Sequence, residues 1–339
     1  MNAKPAILIT GAAGGLANIV VQMLAKRFRL VGVDPRGMPM GRKFPGEFHQ
    51  VDYNHRKMAE IFRSHKFDTM LHLGRVSTTS RAGRNERFNL NVLGTQNLLE
   101  LAAKYHVKNV IVFSTFHVYG AHQYNHIHIT ESDPLRASQT FPELLDVTEL
   151  DHVSRMFLLQ HREIRTIILR PVNVIGPRIQ NQISKMLRAE YCPVLMGYDP
   201  MLQFIHENDI ALALGLCLDS DRSGVYNVAG EGTVPYTRAI EMAGSKTLPV
   251  PHFLAYPALG ILQRLKLSFP KHLADYFRYP TVVSDAAFRK DFGYEPTVTT
   301  VKALEGLRIH DPESVQTDAL PDHEESETLE DSVVGKNLH

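Results

Sequence analysis

The stretch Pro5-Ala-Ile-Leu-Ile-Thr10-Gly11-Ala12-Ala-Gly14-Gly15-Leu16-Ala17-Asn-Ile-Val20 decides the fold. A short apolar run breaks into glycines and resumes with helical spacing, which predicts a strand, a tight turn and a helix. Gly11 permits the sharp turn. Gly14 lets backbone N–H groups approach a pyrophosphate, and the helix behind it directs its positive end at that anion. Ala17 stands at the third position of this fingerprint, which governs helix–strand packing. In outline the stretch is a dinucleotide-binding turn.

Working outward, Arg29-Leu-Val-Gly-Val-Asp34 predicts a second strand that ends in an acid 23 residues after Gly11. A carboxylate there accepts from the ribose hydroxyls of NAD and repels the 2′-phosphate of NADP. Arg36 either stacks on adenine, meets a 2′-phosphate or sits in solvent, so NAD is expected with NADP still open. His49 to Tyr53 reads as a third strand, with Asp52 placed to accept from the adenine amino group. Met58 to Lys66 reads as a crossover helix and Asp68 to Arg75 as a fourth strand through His72-Leu73-Gly74. Strands alternating with helices of this length predict a doubly wound parallel sheet whose ligand lies beyond the carboxyl ends of the strands.

Arg75, Arg81, Arg84 and Arg87 interleave with Ser77, Thr78, Thr79 and Ser80. This is the composition of a phosphate-binding loop or of a solvated basic loop. Phe88 to His106 predicts a long amphipathic helix. Asn109 to Ser114 predicts a fifth strand, with Thr115, His117 and Tyr119 beyond its end.

At 339 residues, 44% apolar and 22% charged, the chain can bury the core of one large domain or of one domain plus a lobe. A net charge of +1 gives no global field for nucleic acid or an anionic membrane. Cys192 and Cys217 fit neither a disulfide framework nor a zinc cluster and point to a reducing compartment. The apolar run before Thr10 is too short for a signal peptide or a membrane span, so a cytoplasmic location is expected. His122, His126 and His128 share a loop without a convincing carboxylate or Cys partner, and no metal is expected.

Five motifs in order carry a family resemblance: Thr10-Gly-Ala-Ala-Gly-Gly-Leu-Ala17, His72-Leu-Gly74, Asn91-Val-Leu-Gly-Thr95, Phe113-Ser-Thr-Phe-His-Val-Tyr-Gly120 and Leu169-Arg-Pro-Val-Asn-Val-Ile-Gly-Pro177. Together the chain resembles the extended short-chain dehydrogenase/reductase superfamily, and within it the NAD-dependent nucleotide-sugar epimerases and dehydratases, over roughly residues 5 to 310. The resemblance implies an α/β, Rossmann-like doubly wound parallel sheet with a smaller C-terminal α/β substrate lobe. It implies cofactor contacts from Gly11, Gly14, Gly15, Leu16, Asp34, Asp52, Tyr53, Leu73, Gly74, Asn91 and Pro171, with Ala12, Arg36, Arg75 and Ser114 beside them. It puts Thr115 at the position of the family's catalytic Ser or Thr, and it implies a homodimer through the helices of Phe88 and Glu143.

The family's reaction also needs a Tyr four residues before a Lys on the helix after the fifth strand, the Lys lowering the Tyr pKa. In the matching helix, Pro142 to Gln160, Leu145 and Glu149 occupy those places, and neither can do that work. Tyr53-Asn-His-Arg-Lys57 has the spacing but follows the third strand, far from the nicotinamide. The substitutes are Tyr119 or His117 with Thr115 relaying, or Asp146, Asp151 or His152 from the helix itself.

Arg165 to Arg170 predicts a sixth strand. Shorter elements follow: a helix over 181–188, a strand over 203–206, a helix over 208–218 capped by Asn208, and a strand over 225–228. The expected organisation is a dinucleotide-binding domain over 1–172, a mainly substrate-binding lobe over 173–310 with some segments returning to the main sheet, and an acidic tail over 311–339. With nine Asp or Glu against one Lys, that tail is expected to be disordered. The resemblance puts Asn173, Gln180, Asn181, Arg188, Gln203 and His206 toward the substrate, joined by Arg81 and Arg84 from the basic loop. The proline-broken apolar stretch from Pro249 to Tyr279 is expected to roof the pocket, the alternative being an apolar surface for a lipid or a partner. Three functions follow from these observations: an atypical NAD-dependent enzyme acting on a nucleotide sugar or similar hydroxyl-bearing substrate, a non-catalytic NAD-binding protein, and a dehydrogenase of lipid or steroid hydroxyls.

Overall fold

The computed structural model describes residues 4–77, 80, 82–251 and 275–308. Arg81, Thr78 and Thr79, most of the expected roof, and the acidic tail lie outside the described residues.

The opening stretch folds as read. β1 (Ala6–Thr10) is buried along its whole length, and α1 (Gly15–Leu24) follows the glycine turn. Next come β2 (Arg29–Asp34), β3 (Glu47–Gln50), α2 (Lys57–Ser64) and β4 (Thr69–His72). The third and fourth strands are shorter than expected. Val51 to Asn54 turns away after β3, held by the Asp52 carboxylate accepting from Asn54 N at 2.7 Å, a short-range Asx turn that competes with the ladder.

The long helix starts earlier than its apolar pattern indicates and is not uniform. α3 (Arg84–Phe88) runs into a π-helical turn over Asn89–Leu93, then into α4 (Gly94–Lys104). β5 (Asn109–Phe113) is followed by a tight turn over Phe116–Tyr119, α5 (Ala137–Thr140), α6 (Leu145–Gln160) and β6 (Arg165–Pro171).

Seven parallel strands form the main sheet, in the order β11 (Gly224–Val228)-β6-β5-β4-β1-β2-β3. The chain reverses direction across the sheet between β1 and β4, where Ile9 pairs with Gly32 on one side and Leu71 on the other. Alternation along β1 sends Ile7 and Ile9 to a core shared with Val20, Leu24 and Leu214, and Leu8 to a core shared with Met58, Leu98 and Leu150. Helices therefore cover both faces, as a parallel sheet requires.

The second lobe is built from β7 (Asn173–Ile175), α7 (Gln182–Leu187), β8 (Tyr191–Leu195), β9 (Met201–Leu202), β10 (Phe204–His206) and α8 (Glu207–Asp219). β11 (Gly224–Val228) returns to the main sheet beside β6. β12 (Val234–Pro235), α9 (Tyr236–Met242), β13 (Lys246–Val250), α10 (Ala286–Phe292) and α11 (Thr300–Glu305) complete the described chain. Ile175, Leu187, Phe204, Tyr236 and Leu304 share this lobe's core. α8 is capped by the His206 side chain, which accepts from Asn208 N, rather than by Asn208 itself. No helix among the described residues is long and apolar enough to cross a membrane.

Candidate active site

The carboxyl ends of β1, β2, β4 and β5 meet at the chain reversal, where an open α/β sheet binds its ligands. Gly11 has φ +70°, and a Cβ on it would lie 2.6 Å from Gly74 Cα. The two loops thus touch backbone to backbone. Ala12 is buried behind the turn, and the Gly14 amide donates to Gly11 O at 2.9 Å. α1 has no side-chain cap, so the first amides of the helix, over Gly15, Leu16 and Ala17, are left for an anion.

Tyr53 lies beneath this turn. Its hydroxyl accepts from Gly11 N at 3.0 Å and fills the space that a side chain on Gly74 would need. Burial, reinforced by the Asp34 charge, raises its pKa, so it stays protonated. Beside it, His72 is locked between two threonines. Thr95 Oγ1 donates to Asn91 O at 2.5 Å and so receives the His72 Nε2 proton at 2.8 Å, which leaves Nδ1 to accept from Thr10 Oγ1 at 2.6 Å. Burial lowers the His72 pKa to about 4, and the ring is neutral.

Asp34 is buried at the end of β2, and each of its oxygens already accepts twice. Oδ1 takes Arg36 N at 2.9 Å and Nε at 3.0 Å, and Oδ2 takes Ala13 N at 3.1 Å and the Arg36 guanidinium at 3.2 Å. Arg36 must therefore swing away before Asp34 can accept ribose hydroxyls. Asp52, exposed one strand further out, holds its own turn.

At the other end of the crevice, the π turn aims Asn91 at the exit of β4. The Asn91 side chain clamps both backbone groups of Val76, accepting from N at 2.8 Å and donating to O at 2.9 Å. It also donates to Asp146 Oδ2 at 2.6 Å. Arg87 is buried beside the same carboxylate, its Nε 3.5 Å from Oδ2. Leu73 is half-buried and Gly74 N donates to Thr10 Oγ1 at 3.3 Å, while Arg75 and Arg84 are exposed.

Beyond β5, Thr115 Oγ1 lies 2.8 Å from His117 Nδ1. The His117 ring packs against Phe116 and Tyr276, and Tyr276 OH donates to His117 O at 2.9 Å. Tyr119 belongs to the core, not the cleft. It is 1% exposed, donates to Asn227 Oδ1 at 2.7 Å and accepts from Arg170 at 2.8 Å, and burial raises its pKa to about 12. Asp151 is likewise committed: Arg170 grips it through two bonds of 2.9 and 2.6 Å, and Ser114 Oγ donates to it at 2.7 Å. Pro171 is buried at the end of β6. On α6, Leu145 and His152 are exposed and Glu149 is half-buried. The helix side chain that reaches the Asn91 clamp is Asp146.

Several of the residues expected to face substrate are occupied by backbone. Gln203 brackets Val283 through N at 2.8 Å and O at 3.0 Å, Arg188 donates to Ile179 O at 2.8 Å and Gly176 O at 2.7 Å, and Asn181 caps α7. Asn173 and Gln180 are half-buried. At the sheet edge, Glu47, His49 and His65 bring ligand-type atoms within 4.8 Å of one another, a convergence that depends on strand β3 meeting the end of α2 and that the sequence does not signal. Arg29 donates to His65 Nδ1 at 2.9 Å, which keeps the proton on Nε2, the atom that faces Glu47.

Residues 7–229 match the model of the NAD dependent epimerase/dehydratase family. An uncharacterised protein of Mycobacterium tuberculosis is 29% identical over 311 residues, 88% of this chain and 82% of that one. UDP-glucose 4-epimerase 2 of Arabidopsis thaliana is 29% identical over 197 residues, 53% of this chain and 55% of its own. Among solved structures, a UDP-glucose 4-epimerase of Thermus thermophilus in complex with NAD superimposes with a TM-score of 0.71 at 19% identity, covering 89% of this chain and 99% of that one.

Proposed function

From the premise that the chain belongs to the NAD dependent epimerase/dehydratase family, whose cofactor is NAD, we propose that it carries out oxidoreduction at a hydroxyl-bearing carbon of a nucleotide sugar or a similar substrate. The residues present fit the cofactor: an uncapped helix start behind a glycine turn, a buried acid at the end of β2, and a buried carboxylate oxygen, Asp146 Oδ1, that has no hydrogen-bond partner. When bound, NAD supplies a hydride acceptor and donor at its nicotinamide.

The observation that carries the reading is the Thr115–His117 pair at the end of β5. A substrate hydroxyl donates to Thr115 Oγ1, and the threonine proton passes to His117 Nδ1; reprotonation runs the same path backwards. The Tyr276 hydroxyl on His117 O and the flanking Phe116 ring fix the imidazole in place. A homodimer through the Phe88 and Glu143 helices is part of the proposal. It is supported by Leu145, His152, Met156 and Leu159, which leave one stripe of α6 exposed.

A second reading, a non-catalytic NAD-binding protein, is favoured by the exposed Leu145 and the acidic Glu149 on α6. Mixing NAD-loaded protein with a panel of nucleotide sugars separates the two. Transient reduced-nicotinamide absorbance is expected with at least one substrate, slowed about 100-fold in Thr115→Val and His117→Phe. Tight NAD binding with no absorbance change across the panel favours the binding protein.

A further inference from the structure

We propose that Glu47, His49 and His65 form a three-ligand site for a divalent transition-metal ion of the zinc class, with Arg29 as the ion's competitor. The site lies at the outer edge of the main sheet and is independent of the oxidoreduction reading above.

Local structure brings the ligands together. Glu47 and His49 are two residues apart on β3, so their side chains share one face of that strand. β3 is an edge strand, and the two residues pair with Val31 and Val33 of β2. His65 directly follows α2, its amide donating to Ile61 O at 3.1 Å, and its ring packs 5.6 Å from that of Phe67. One ligand atom from each of the three lies within 4.8 Å of the other two. Glu47 turns one oxygen to each ring: Oε1 is 2.8 Å from His49 Nε2, and Oε2 is 3.5 Å from His65 Nε2. Nitrogen and oxygen ligands held at about 2.0–2.2 Å around a tetrahedral zinc ion stand roughly 3.3 Å apart, a spacing that these two contacts bracket. Bound there, the ion ties the edge strand to the end of α2.

These contacts are not those of ordinary ion pairs. His49 Nε2 is buried and makes no hydrogen bond although Glu47 Oε1 is 2.8 Å away, so the two atoms are close without being aligned on each other. A buried ring nitrogen without a partner costs free energy, and an ion between the three groups supplies that partner. Two imidazoles favour zinc, nickel, cobalt or copper over magnesium and calcium. The exposed Glu47 leaves an entry path and a coordination position for water. Arg29 opposes the ion. Its guanidinium donates to His65 Nδ1 at 2.9 Å and so holds the proton on Nε2, the nitrogen that would bind the metal. Binding therefore moves the His65 proton from Nε2 to Nδ1, and the exposed arginine swings out into solvent. Among the described residues no other set of three such side chains converges in this way; His126, from the histidine loop, meets Asp133 instead at 2.8 Å.

The experiment is calorimetric titration of the full-length protein with zinc chloride in a weakly coordinating buffer, repeated with cobalt chloride and read by visible absorption. One ion per chain is expected. His49→Gln, His65→Gln and Glu47→Gln should each weaken it by about tenfold or more, and His126→Gln should leave it unchanged. Arg29→Ala should tighten binding several-fold, because it removes both a rival for His65 and a like charge. A gain of affinity cannot come from misfolding, so Arg29→Ala decides alone should a histidine variant fail to fold. Bound cobalt should show the visible absorption of an imidazole-ligated ion, and the His49→Gln, His65→Gln double variant should lose it. Zinc binding of undiminished strength in that double variant places the ion on other histidines and overturns the proposal. Wild-type protein that takes up no zinc overturns it too, as does Arg29→Ala that binds zinc no more tightly than the wild type.

Discussion

Two buried aspartates five residues apart on α6 meet opposite fates. Asp151 is saturated: Arg170 holds both its oxygens, Ser114 adds a third donor, and the spare arginine nitrogen goes to Tyr119 and Glu131 O. Asp146 has one oxygen on Asn91 and the other on nothing. The first arrangement is closed and fastens α6, β5 and β6 to one another. The second leaves one enclosed oxygen without a donor beside the Asn91 clamp. Burial alone does not separate them, since both are almost fully enclosed. The difference lies in whether the protein itself supplies every donor.

Breaking the closed pair gives the largest effect. Asp151→Asn leaves Arg170 as an uncompensated buried charge and should cost about 3–5 kcal/mol in urea unfolding, whereas Asp146→Asn, which gives up only a 3.5 Å contact with the buried Arg87 in place of two hydrogen bonds, should cost about half as much. Equal losses at the two positions would erase the distinction between them.

The turn half carries a similarly closed network, which pH can open. The His72 pKa is lowered in the fold to about 4 against an ordinary value of 6.5. Between those values the unfolded chain binds the extra proton, so this contribution is complete above pH 6.5 and is lost as pH falls toward 4. Its full size is about 3 kcal/mol. Urea midpoints measured from pH 7 down to pH 4 should fall more steeply for the wild type than for His72→Asn. Parallel curves would mean that the ring is not held neutral.

The smallest effect is at the adenosine end. Arg36→Ala removes one of the two donors on each Asp34 oxygen, leaving the backbone amides of Ala13 and residue 36, and removes the cation that would meet a 2′-phosphate. Titrations should show the ratio of NAD to NADP affinity rising several-fold. A ratio that falls would show that Arg36 serves NAD itself, as a stacking partner for adenine.

Much of this was legible in the chain. The parallel sheet, the glycine turn, Asp34 and the Asn91 motif follow from local patterns: apolar runs of strand length, glycines where backbones must touch, and an acid at a strand end. The meaning of single polar residues was less legible. Gln203, Arg188 and Asn181 looked like groups facing a substrate, and each is occupied with backbone. Tyr119 looked available for proton transfer and is a core hydroxyl between Arg170 and Asn227. Such partners lie up to 108 residues away, beyond the reach of any spacing rule.

The sequence by itself determined that a dinucleotide turn opens a doubly wound sheet, and that the helix after β5 contains neither a Tyr nor a Lys. It could do so because those features are local: a turn, a strand end, a helical spacing. Only the tertiary structure decided which of the chain's acids is spoken for. Asp146 and Asp151 look alike in the sequence, and their roles separate through side chains arriving from β4, the π turn, β5 and β6.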